Sequence, residues 1–386
     1  MKKIAVFTGS RSEYGLIKNL LAQINSSKYF NLNLIVSGSH PAKYYGKTIK
    51  EIKKDKIKIS KIIKFKFEKK MSEPRYISIN MTKLMTNLSI HLRKKLPEVI
   101  ILVGDRYETF IAAVTAVILK IKIIHIHGGE ITNGSRDDLY RHSISKMSDY
   151  HFVSTKPYKK RLIQLGENPK NIFNVGALCN DNISNLKQYS SKKIESILKT
   201  KLYQNNILVS YHPETNSKEK NIYEIEELLL SISKIKNCKF FFSAPNSDEN
   251  SAEIIKKIKL FCKNNMNTYY KDSYGNELFL NILKKCNLMI GNSSSGIIEA
   301  PLLGIPSINI GKRQNGRIKS FLTVDCTLSS RKIITQIKKF LKLHKKKINV
   351  RKNPYYATNV YKKIYLKLKK LNFKKINHKM FYDIRF

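Results

Sequence analysis

The chain has 386 residues, too many for one ordinary domain, and 42% of them are hydrophobic. That content allows two buried cores and excludes a disordered chain. The net charge is +45, from 73 basic and 28 acidic residues. Because the lysines are scattered over helical patterns without an RNA-recognition or zinc-finger motif, solvated helix faces explain the charge better than a nucleic-acid binder.

The five cysteines form no C-x-x-C pair, so neither a disulfide framework nor a structural zinc is expected. The apolar run at residues 4–7 is too short for a signal peptide, and no run of about 18 apolar residues suggests a membrane span. We therefore expect a cytoplasmic protein in a reducing compartment, with neither a membrane nor a nucleic acid as its partner.

Short apolar runs predict strands in chain order at residues 4–7, 31–36, 99–103, 121–126, 206–210, 239–242, 288–290 and 307–310. Helical spacing predicts helices at residues 15–24, after the strand at 99–103, and from residue 297 to 303. The tail from residue 354 to 386 is predicted to be mostly helical.

Strands that alternate with helices predict parallel βαβ units. The fold class is therefore α/β, with two Rossmann-like domains at residues 1–178 and 179–359. A helix over residues 360–386 can pack back on the first domain. In parallel sheets of this kind, ligands bind at the carboxyl ends of the strands. The polar clusters of this chain follow its predicted strands, so we treat them as one site.

The turn Thr8-Gly9-Ser10-Arg11 follows the first strand and precedes a helix. It offers backbone N–H groups and a helix N-terminus to a phosphate, and Arg11 adds a bidentate donor. A plain βα turn remains the alternative. The turn matches neither the dinucleotide-binding glycine pattern nor the P-loop, which disfavours an oxidoreductase or an NTPase.

Carboxylates follow the next strands. Asp105 ends a buried strand, where an aspartate is as often a helix cap as a catalyst. Glu130 follows two glycines, which let the backbone approach a ligand closely. If a helix starts at Asp137, Asp138 and Arg141 share one face of it, either as site residues or as a surface ion pair.

Two further clusters leave alternatives open. His125 and His127 would face one side of a strand; two hydrogen-bonded histidines are favoured over a zinc pair, because no further ligand set is nearby. The stretch Ser293-Ser294-Ser295-Gly296 reads equally well as a helix cap or a phosphate cradle. Glu299, one turn later, could accept hydrogen bonds from a ribose diol. The pattern is not a nucleophile elbow, which disfavours a serine hydrolase.

Taken together, these residues resemble the hydrolysing UDP-N-acetylglucosamine 2-epimerases of sialic acid biosynthesis and their relatives in legionaminic acid synthesis. The matching stretches, in order, are residues 8–15, Gly104-Asp105-Arg106-Tyr107-Glu108, His125-Ile126-His127-Gly128-Gly129-Glu130, residues 141–146, Gln164-Leu165-Gly166-Glu167, His212-Pro213-Glu214-Thr215, residues 291–299 and Arg313-Gln314-Asn315-Gly316-Arg317.

The resemblance implies a glycosyltransferase-B-like fold with the sugar nucleotide in a cleft between two domains, no metal or nicotinamide cofactor, and a homo-oligomer. It implies that a sugar nucleotide and water give a free N-acetylmannosamine-type sugar and a nucleoside diphosphate. The catalytic candidates are Asp105, Glu130, Asp138 and His212. The candidates for substrate binding are Arg11, His40, Arg106, Arg141, Asn246, Ser293, Ser294, Ser295, Glu299, Arg313 and Arg317.

The chain departs from the family pattern at Pro41, at Arg136 and over residues 67–80, where a loop rich in glycine and serine is expected. Three alternatives stay open. The substrate could be a nucleotide-linked N,N′-diacetylbacillosamine; the enzyme could be a non-hydrolysing epimerase; or the chain could be an inactive epimerase fold that binds polyanions.

Overall fold

The computed structural model describes residues 1–42, 47–65, 74–133, 135–214, 218–245, 251–342, 348–374 and 379–384. The chain forms two compact units. The first comprises Met1–Glu130, Arg136–Asp181 and Ala357–Phe386, and the second comprises Ile131–Ser135 and Asn182–Tyr356. The bounds differ by about three residues from those drawn on the sequence, and the sequence had given residues 131–135 to the first domain.

Residues 131–135 group with the second unit because they pack on it. The Asn133 N–H donates to the Asn315 carbonyl at 3.0 Å. A Cβ on Gly316 would lie only 2.3 Å from Cγ2 of Ile131, so only glycine fits at position 316. Such a local pairing of two distant loops leaves no periodic signal in the sequence, so the sequence alone gives no reason to group this segment with residues beyond 181.

The first unit contains a seven-stranded parallel sheet in the order β3-β2-β1-β4-β5-β6-β7. Its strands are β1 (Lys2–Thr8), β2 (Phe30–Val36), β3 (Ile59–Ile62), β4 (Val99–Val103), β5 (Lys122–Ile126), β6 (Tyr150–Val153) and β7 (Ile172–Asn174). Its helices are α1 (Arg11–Asn25), α2 (Ile49–Lys54), α3 (Pro74–Lys95), α4 (Tyr107–Ile118), α5 (Asp137–Met147), α6 (Lys156–Gln164), α7 (Cys179–Ser184, which crosses into the second unit) and the late helix α15 (Val360–Lys370).

The second unit repeats this plan with a six-stranded parallel sheet in the order β10-β9-β8-β11-β12-β13. Its strands are β8 (Asn205–Ser210), β9 (Cys238–Ser243), β10 (Thr268–Lys271), β11 (Leu288–Gly291), β12 (Ser307–Ile310) and β13 (Thr323–Cys326). Its helices are α8 (Ser191–Leu198), α9 (Lys218–Ser233), α10 (Ser251–Asn264), α11 (Gly275–Lys285), α12 (Ser294–Ile297), α13 (Glu299–Leu302) and α14 (Ser330–Lys342).

Both sheets are buried on both faces, as parallel sheets require. Every residue of β4 is buried, and its side chains divide between two apolar clusters on opposite faces of the first sheet. One of these clusters contains Val360, Ile364 and Leu368 of α15, which pack with α1. The predicted α/β class is confirmed, and the eight predicted strands all exist with small shifts at their ends.

Three helix predictions differ from the structure. Helix α1 begins four residues earlier than predicted, because Ser10 and Glu13 form a capping box at its N-terminus. The helix predicted at residues 297–303 is divided at Ile298 into the two short helices α12 and α13. In the tail, only α15 is helical among the described residues; residues 371–374 and 379–384 are irregular.

Within the described ranges, no helix combines the length and the hydropathy needed to cross a lipid bilayer.

Candidate active site

A buried arginine gathers the carboxylates of the first unit. Arg141, on the first turns of α5, is 1% exposed. Its Nη2 donates to Asp105 Oδ2, and its Nη1 donates to Asp138 Oδ1 at 2.6 Å and to the Glu130 carbonyl at 3.1 Å. His142 Nε2 lies 3.6 Å from the other oxygen of Asp138. One guanidinium thus holds three of the predicted site residues, which come from three different segments.

The side chain of Glu130 is bonded by two side chains at one of its oxygens. His127 Nδ1 lies 2.8 Å from Glu130 Oε1, and the Ser154 hydroxyl donates to the same oxygen at 3.1 Å. The Leu178 N–H points at His127 Nε2 from 3.5 Å, so Nε2 accepts and Nδ1 carries the proton that bonds Glu130. This carboxylate is therefore oriented by two donors from neighbouring strand ends.

His125 supports the turn that begins with Gly104. Its Nε2 donates to the Gly104 carbonyl at 2.7 Å, and its Nδ1 accepts from the Ser145 hydroxyl at 3.0 Å. Burial lowers the pKa of His125 to about 3, so the ring is neutral. A Cβ on Gly128 would be 2.8 Å from His125 Nδ1, so the glycine admits this ring rather than a ligand.

The two histidines do not share one face of a strand. Strand β5 ends at Ile126, and His127 has a φ of 67°, in the left-handed region. The alternation on which the sequence argument relied therefore stops before His127. Both rings are hydrogen-bonded, as the favoured interpretation held. Among the described residues, no group of three or more His, Cys, Asp or Glu side chains is arranged to hold a metal ion.

The turn after β1 differs from its predicted role. Glu13 Oε2 accepts from the N–H of Gly9 at 2.6 Å and from that of Ser10 at 3.1 Å. These two donors, predicted above to bind a phosphate, are instead bonded to a carboxylate of the chain itself. Arg11 is half-buried at the first position of α1, where burial lowers the pKa of its guanidinium and the negative charge of Glu51 opposes that shift.

His40 is completely buried at the end of the turn that follows β2. Its Nε2 lies 3.0 Å from the Thr8 hydroxyl and its Nδ1 lies 2.9 Å from the Thr48 hydroxyl. Burial lowers its pKa to about 4. With both nitrogens engaged and no exposed surface, the geometry favours a supporting role for His40 over contact with a substrate.

Arg106 lies beside Asp105 at the N-terminus of α4. Its Nε donates to Glu108 Oε2 at 3.2 Å, and its side chain is 12% exposed. Its guanidinium carbon lies 5.9 Å from the centre of the Tyr107 ring. The predicted substrate-binding arginine therefore already engages a buried carboxylate.

In the second unit, Asn292 organises the ends of β8 and β11. Its amide oxygen accepts from the His212 N–H at 2.7 Å, and its amide nitrogen donates to the His212 carbonyl at 2.8 Å. Its own carbonyl accepts from Arg313 Nη1 at 3.2 Å and from Gln314 Nε2 at 2.9 Å. The structure thus brings together His212 and Arg313, two of the predicted site residues.

The serine stretch caps its own short helix. Ser293 precedes α12, and its hydroxyl accepts from the Ser295 N–H at 3.3 Å. Ser294 and Glu299 are the first residues of α12 and α13, and both are partly exposed, as is Arg317. Asn246, with residues 43–46 and 66–73, lies outside the described residues.

Sequence reasoning missed Glu13, Ser154 and Asn292. Glu13 could have been found from the pattern Ser10-x-x-Glu13, which is typical of a capping box. Asn292 directly follows a buried strand, which was a weaker signal. Ser154 gave none, because it is an ordinary serine at the end of a strand that was not predicted.

Two Rossmann-like sheets with polar side chains at their carboxyl ends are typical of enzymes that act on nucleotide-linked substrates. The family model described as UDP-N-acetylglucosamine 2-epimerase matches residues 22–369. The chain belongs to the UDP-N-acetylglucosamine 2-epimerase family, as the sequence resemblance predicted.

Several relatives cover most of the chain. It is 36% identical over 395 residues to the polysialic acid biosynthesis protein P7 of Escherichia coli. The alignment covers 100% of this chain and 98% of that protein. It is 37% identical over 331 residues, 85% of each chain, to a GDP/UDP-N,N′-diacetylbacillosamine 2-epimerase (hydrolyzing) of Campylobacter jejuni.

A solved structure shows the same fold. The UDP-GlcNAc 2-epimerase from Neisseria meningitidis bound to UDP-GlcNAc matches with a TM-score of 0.79 and 19% identity, over 96% of this chain and 100% of that one. The identity is low, so this likeness establishes the fold and not the substrate.

Proposed function

We propose that the chain is a hydrolysing 2-epimerase that converts UDP-N-acetylglucosamine and water to N-acetylmannosamine and UDP. The observation that carries the proposal is the buried guanidinium of Arg141, bound to Asp105, Asp138 and the backbone of Glu130. It brings three carboxylate-bearing residues to one strand-end region of the first unit. Such a set can stabilise a positive charge on a sugar and also accept a proton.

The proposed reaction needs both the stabilisation of a positive charge and the acceptance of a proton. The proton on C2 of the sugar is not acidic, so the C1–O bond breaks first and UDP leaves with its electron pair. The resulting oxocarbenium character at C1 acidifies the C2 proton, which a carboxylate removes to give a C1=C2 glycal. Water then adds its hydroxyl to C1, and a proton returns to C2 from the opposite face. The products are free N-acetylmannosamine and UDP.

Within this reaction, Asp105, Glu130 and Asp138 provide acid, base and charge stabilisation. Glu130 is held by His127 and Ser154 in one orientation, which suits a base that must reach a single proton. Asp105 and Asp138 are held by Arg141, which suits groups that face a developing positive charge. Exchanging the base between Asp105 and Glu130 is compatible with the same geometry.

The residues proposed to hold the nucleotide come mainly from the second unit. As the family resemblance implies, His212, Ser294, Arg317 and Arg11 would hold the diphosphate, and Glu299 would hold the ribose. Arg106, Asn246, Ser293, Ser295 and Arg313 remain proposed as further substrate-binding residues, and Arg141, which is buried and bonded to Asp105 and Asp138, is proposed to position those two carboxylates. The Asn292 bridge supports this assignment, because it fixes the backbone of His212 beside Arg313.

A second candidate substrate is a UDP- or GDP-linked N,N′-diacetylbacillosamine. It is favoured by the Campylobacter jejuni relative, which is 37% identical and is named for that substrate. The Escherichia coli relative, named for polysialic acid biosynthesis, supports the sialic acid pathway and hence UDP-N-acetylglucosamine. We propose that the reaction takes place in the cytoplasm and in a homo-oligomer; the cysteine pattern supports the reducing location.

The test is to incubate the protein with UDP-N-acetylglucosamine and, separately, with the UDP- and GDP-linked diacetylbacillosamines. Nucleoside diphosphate and free sugar are quantified together, with Asp105→Asn as the inactive reference. Equal release of UDP and N-acetylmannosamine supports the proposal. Accumulation of a nucleotide-linked epimer without release would mean a non-hydrolysing epimerase. No turnover of any substrate, with tight and salt-sensitive binding of nucleic acid, would favour the polyanion-binding alternative.

A further inference from the structure

Two buried carboxylates lie close together in the first unit, outside the Arg141 cluster. Glu13, in the first turn of α1, is 5% exposed, and Glu108, in the first turn of α4, is 2% exposed. Burying two like charges is unfavourable unless each is hydrogen-bonded. Glu108 accepts from Arg106 Nε at 3.2 Å. The mechanism proposed above uses neither carboxylate.

Glu13 binds donors from two different elements, the turn after β1 and helix α4. Its Oε2 accepts from the N–H groups of Gly9 and Ser10, at 2.6 and 3.1 Å. Its Oε1 accepts from the Thr109 hydroxyl at 3.1 Å. The first two donors belong to the turn after β1, and the third belongs to α4. The carboxylate therefore bridges the N-termini of α1 and α4.

Both ends of this bridge adjoin proposed site residues. The turn after β1 continues directly into Arg11, and α4 follows directly on Asp105 and Arg106. The turn after β1 and the first turn of α4 are in contact, because a Cβ on Gly9 would lie 3.2 Å from Glu108 Cβ. The carbonyl of Gly9 also accepts from the Ser39 N–H at 2.8 Å, which holds the turn from the side of β2.

We propose, on the basis of the proposed function, that Glu13 is a positioning residue whose carboxylate holds the turn of Arg11 against the turn of Asp105 and Arg106. It acts on the reaction through these residues and makes no contact with the substrate itself. A carboxylate accepts three donors here, and a neutral carboxyl group has one oxygen that donates instead. The ionised form of Glu13 is therefore the form that holds both turns.

The environment of Glu13 shifts its ionisation to neutral pH. Burial, with the charge of Glu108 from α4, raises the pKa of Glu13 to about 7; the bond from Gly9 and the charge of Arg106 oppose the shift. From the turn after β2, His40 faces Thr8 and stays neutral, because burial lowers its pKa to about 4. We therefore expect the bridge to weaken as the pH falls below about 7.

The test compares Glu13→Gln with Glu98→Gln across a range from about pH 5 to pH 9. Glu98 is the matched control, since its Oε1 accepts only a peripheral bond, from the Lys3 N–H at 3.3 Å. In the wild type and in Glu98→Gln, kcat/KM for UDP-N-acetylglucosamine should rise with a midpoint near pH 7. In Glu13→Gln this rise should be absent, and kcat/KM at high pH should be about tenfold below the wild-type value.

A merely structural role would lower the stability of Glu13→Gln and leave the rise in its pH profile intact, and that result would overturn the proposal. If the variant does not fold, ¹³C NMR of glutamate carboxyl groups in the wild type still decides. A buried glutamate that titrates near pH 7 is expected, and its absence overturns the proposal. Failure of the wild type to turn over any nucleotide sugar would instead refute the proposed function, and this role of Glu13 with it.

Discussion

Arg141 is a charged side chain buried to 99%, so its charge must be met by acceptors within the protein. The acceptors it meets are the carboxylates of Asp105 and Asp138 and the backbone carbonyl of Glu130, and these three residues are the ones whose carboxylates the proposed reaction needs in one place. The arginine satisfies them with a planar fork of donors pointing in fixed directions. Its replacement therefore tests whether this arrangement serves the reaction.

Arg141→Lys keeps the charge but offers a single ammonium, which cannot reproduce the separate bonds to Asp105 and Asp138. We expect kcat/KM to fall by about 100-fold or more, as for the loss of a preorganised electrostatic group. Steady-state kinetics of nucleotide release measures it, with exposed Arg75→Lys of α3 as the control. A loss of less than about twofold in a folded variant would contradict the role given to Arg141.

Glu13 also makes a prediction about stability. Because its pKa is about 7 in the folded protein and 4.5 is its ordinary value, the folded state holds a proton that the unfolded chain releases. Stability from this group is therefore present at low pH and is lost as the pH rises from about 4.5 to 7. The loss is at most about 3 kcal/mol.

Denaturant unfolding at about pH 5 and pH 8 measures this term, as the difference between the wild type and Glu13→Gln. The wild type should lose more stability than the variant over that interval. Equal changes in both proteins would show that Glu13 does not carry a shifted proton.

At the scale of elements, the ends of helices depend on caps that come from elsewhere in the chain. Asp181, at the end of the first unit's second segment, accepts from the N–H groups of Val360 and Tyr361, at 3.0 and 2.6 Å. It thereby closes the N-terminus of α15, a helix that packs in the core with α1. Residues 180 positions apart in the chain are joined by this cap.

Asp181→Ala should lower the free energy of unfolding by about 1–2 kcal/mol, because two backbone donors lose their acceptor. Thermal or denaturant unfolding measures the change. Asp272→Ala, an exposed aspartate in an ion pair with Lys259, is the control and should change stability by less than about 0.5 kcal/mol. Equal effects of the two substitutions would refute the capping role.

Asn292 plays a comparable part in the second unit, where its side-chain amide bonds both the N–H and the carbonyl of His212. Asn292→Ala should remove both of these bonds and should weaken UDP binding by about tenfold, which titration calorimetry measures. Asn205→Ala, at the opposite end of β8, is the control and should bind UDP as the wild type does. Unchanged UDP affinity in Asn292→Ala would show that the bonds between Asn292 and His212 do not support nucleotide binding.

Buried strands were the elements most readily predicted. The run at residues 99–103 is apolar throughout because helices cover both faces of its sheet, and its predicted bounds match β4. The start of α1 was predicted four residues too late, because Ser10 and Glu13 cap the helix ahead of its apolar spacing. The tail was predicted to be mostly helical, but its described residues after α15 are irregular. Caps and irregular tails are decided by single contacts, for which periodicity gives no signal.

The same distinction applies to the candidate site. The sequence located Asp105, Glu130, Asp138 and Arg141, because each follows a strand or shares a helix face. It could not show that Arg141 joins them, or that the Gly9 and Ser10 N–H groups are taken by Glu13. Contacts between loops that are distant in sequence depend on tertiary packing, which a single sequence does not reveal.

At the scale of the whole molecule, each sheet begins with the same order of strands, third, second, first and then fourth. The order reverses between β1 and β4 in one unit and between β8 and β11 in the other. Ligands bind at such reversals in open α/β sheets. The turns of Arg11 and of Asp105 follow β1 and β4, and His212 and Asn292 follow β8 and β11. The architecture therefore accounts for where both sets of polar residues lie.

The substrate is decided by finer differences than the fold. The relative at 36% identity is named for polysialic acid biosynthesis and the one at 37% for N,N′-diacetylbacillosamine, so membership of the family leaves the sugar to experiment. What the proposed chemistry requires of any of these sugars is the loss and return of the proton on C2.

The most direct measurement is a proton NMR time course of the purified protein with UDP-N-acetylglucosamine in D₂O. Our account predicts free N-acetylmannosamine that carries one deuterium at C2, released together with UDP. Free sugar that retains the original C2 proton, or UDP released with unepimerised N-acetylglucosamine, would contradict it.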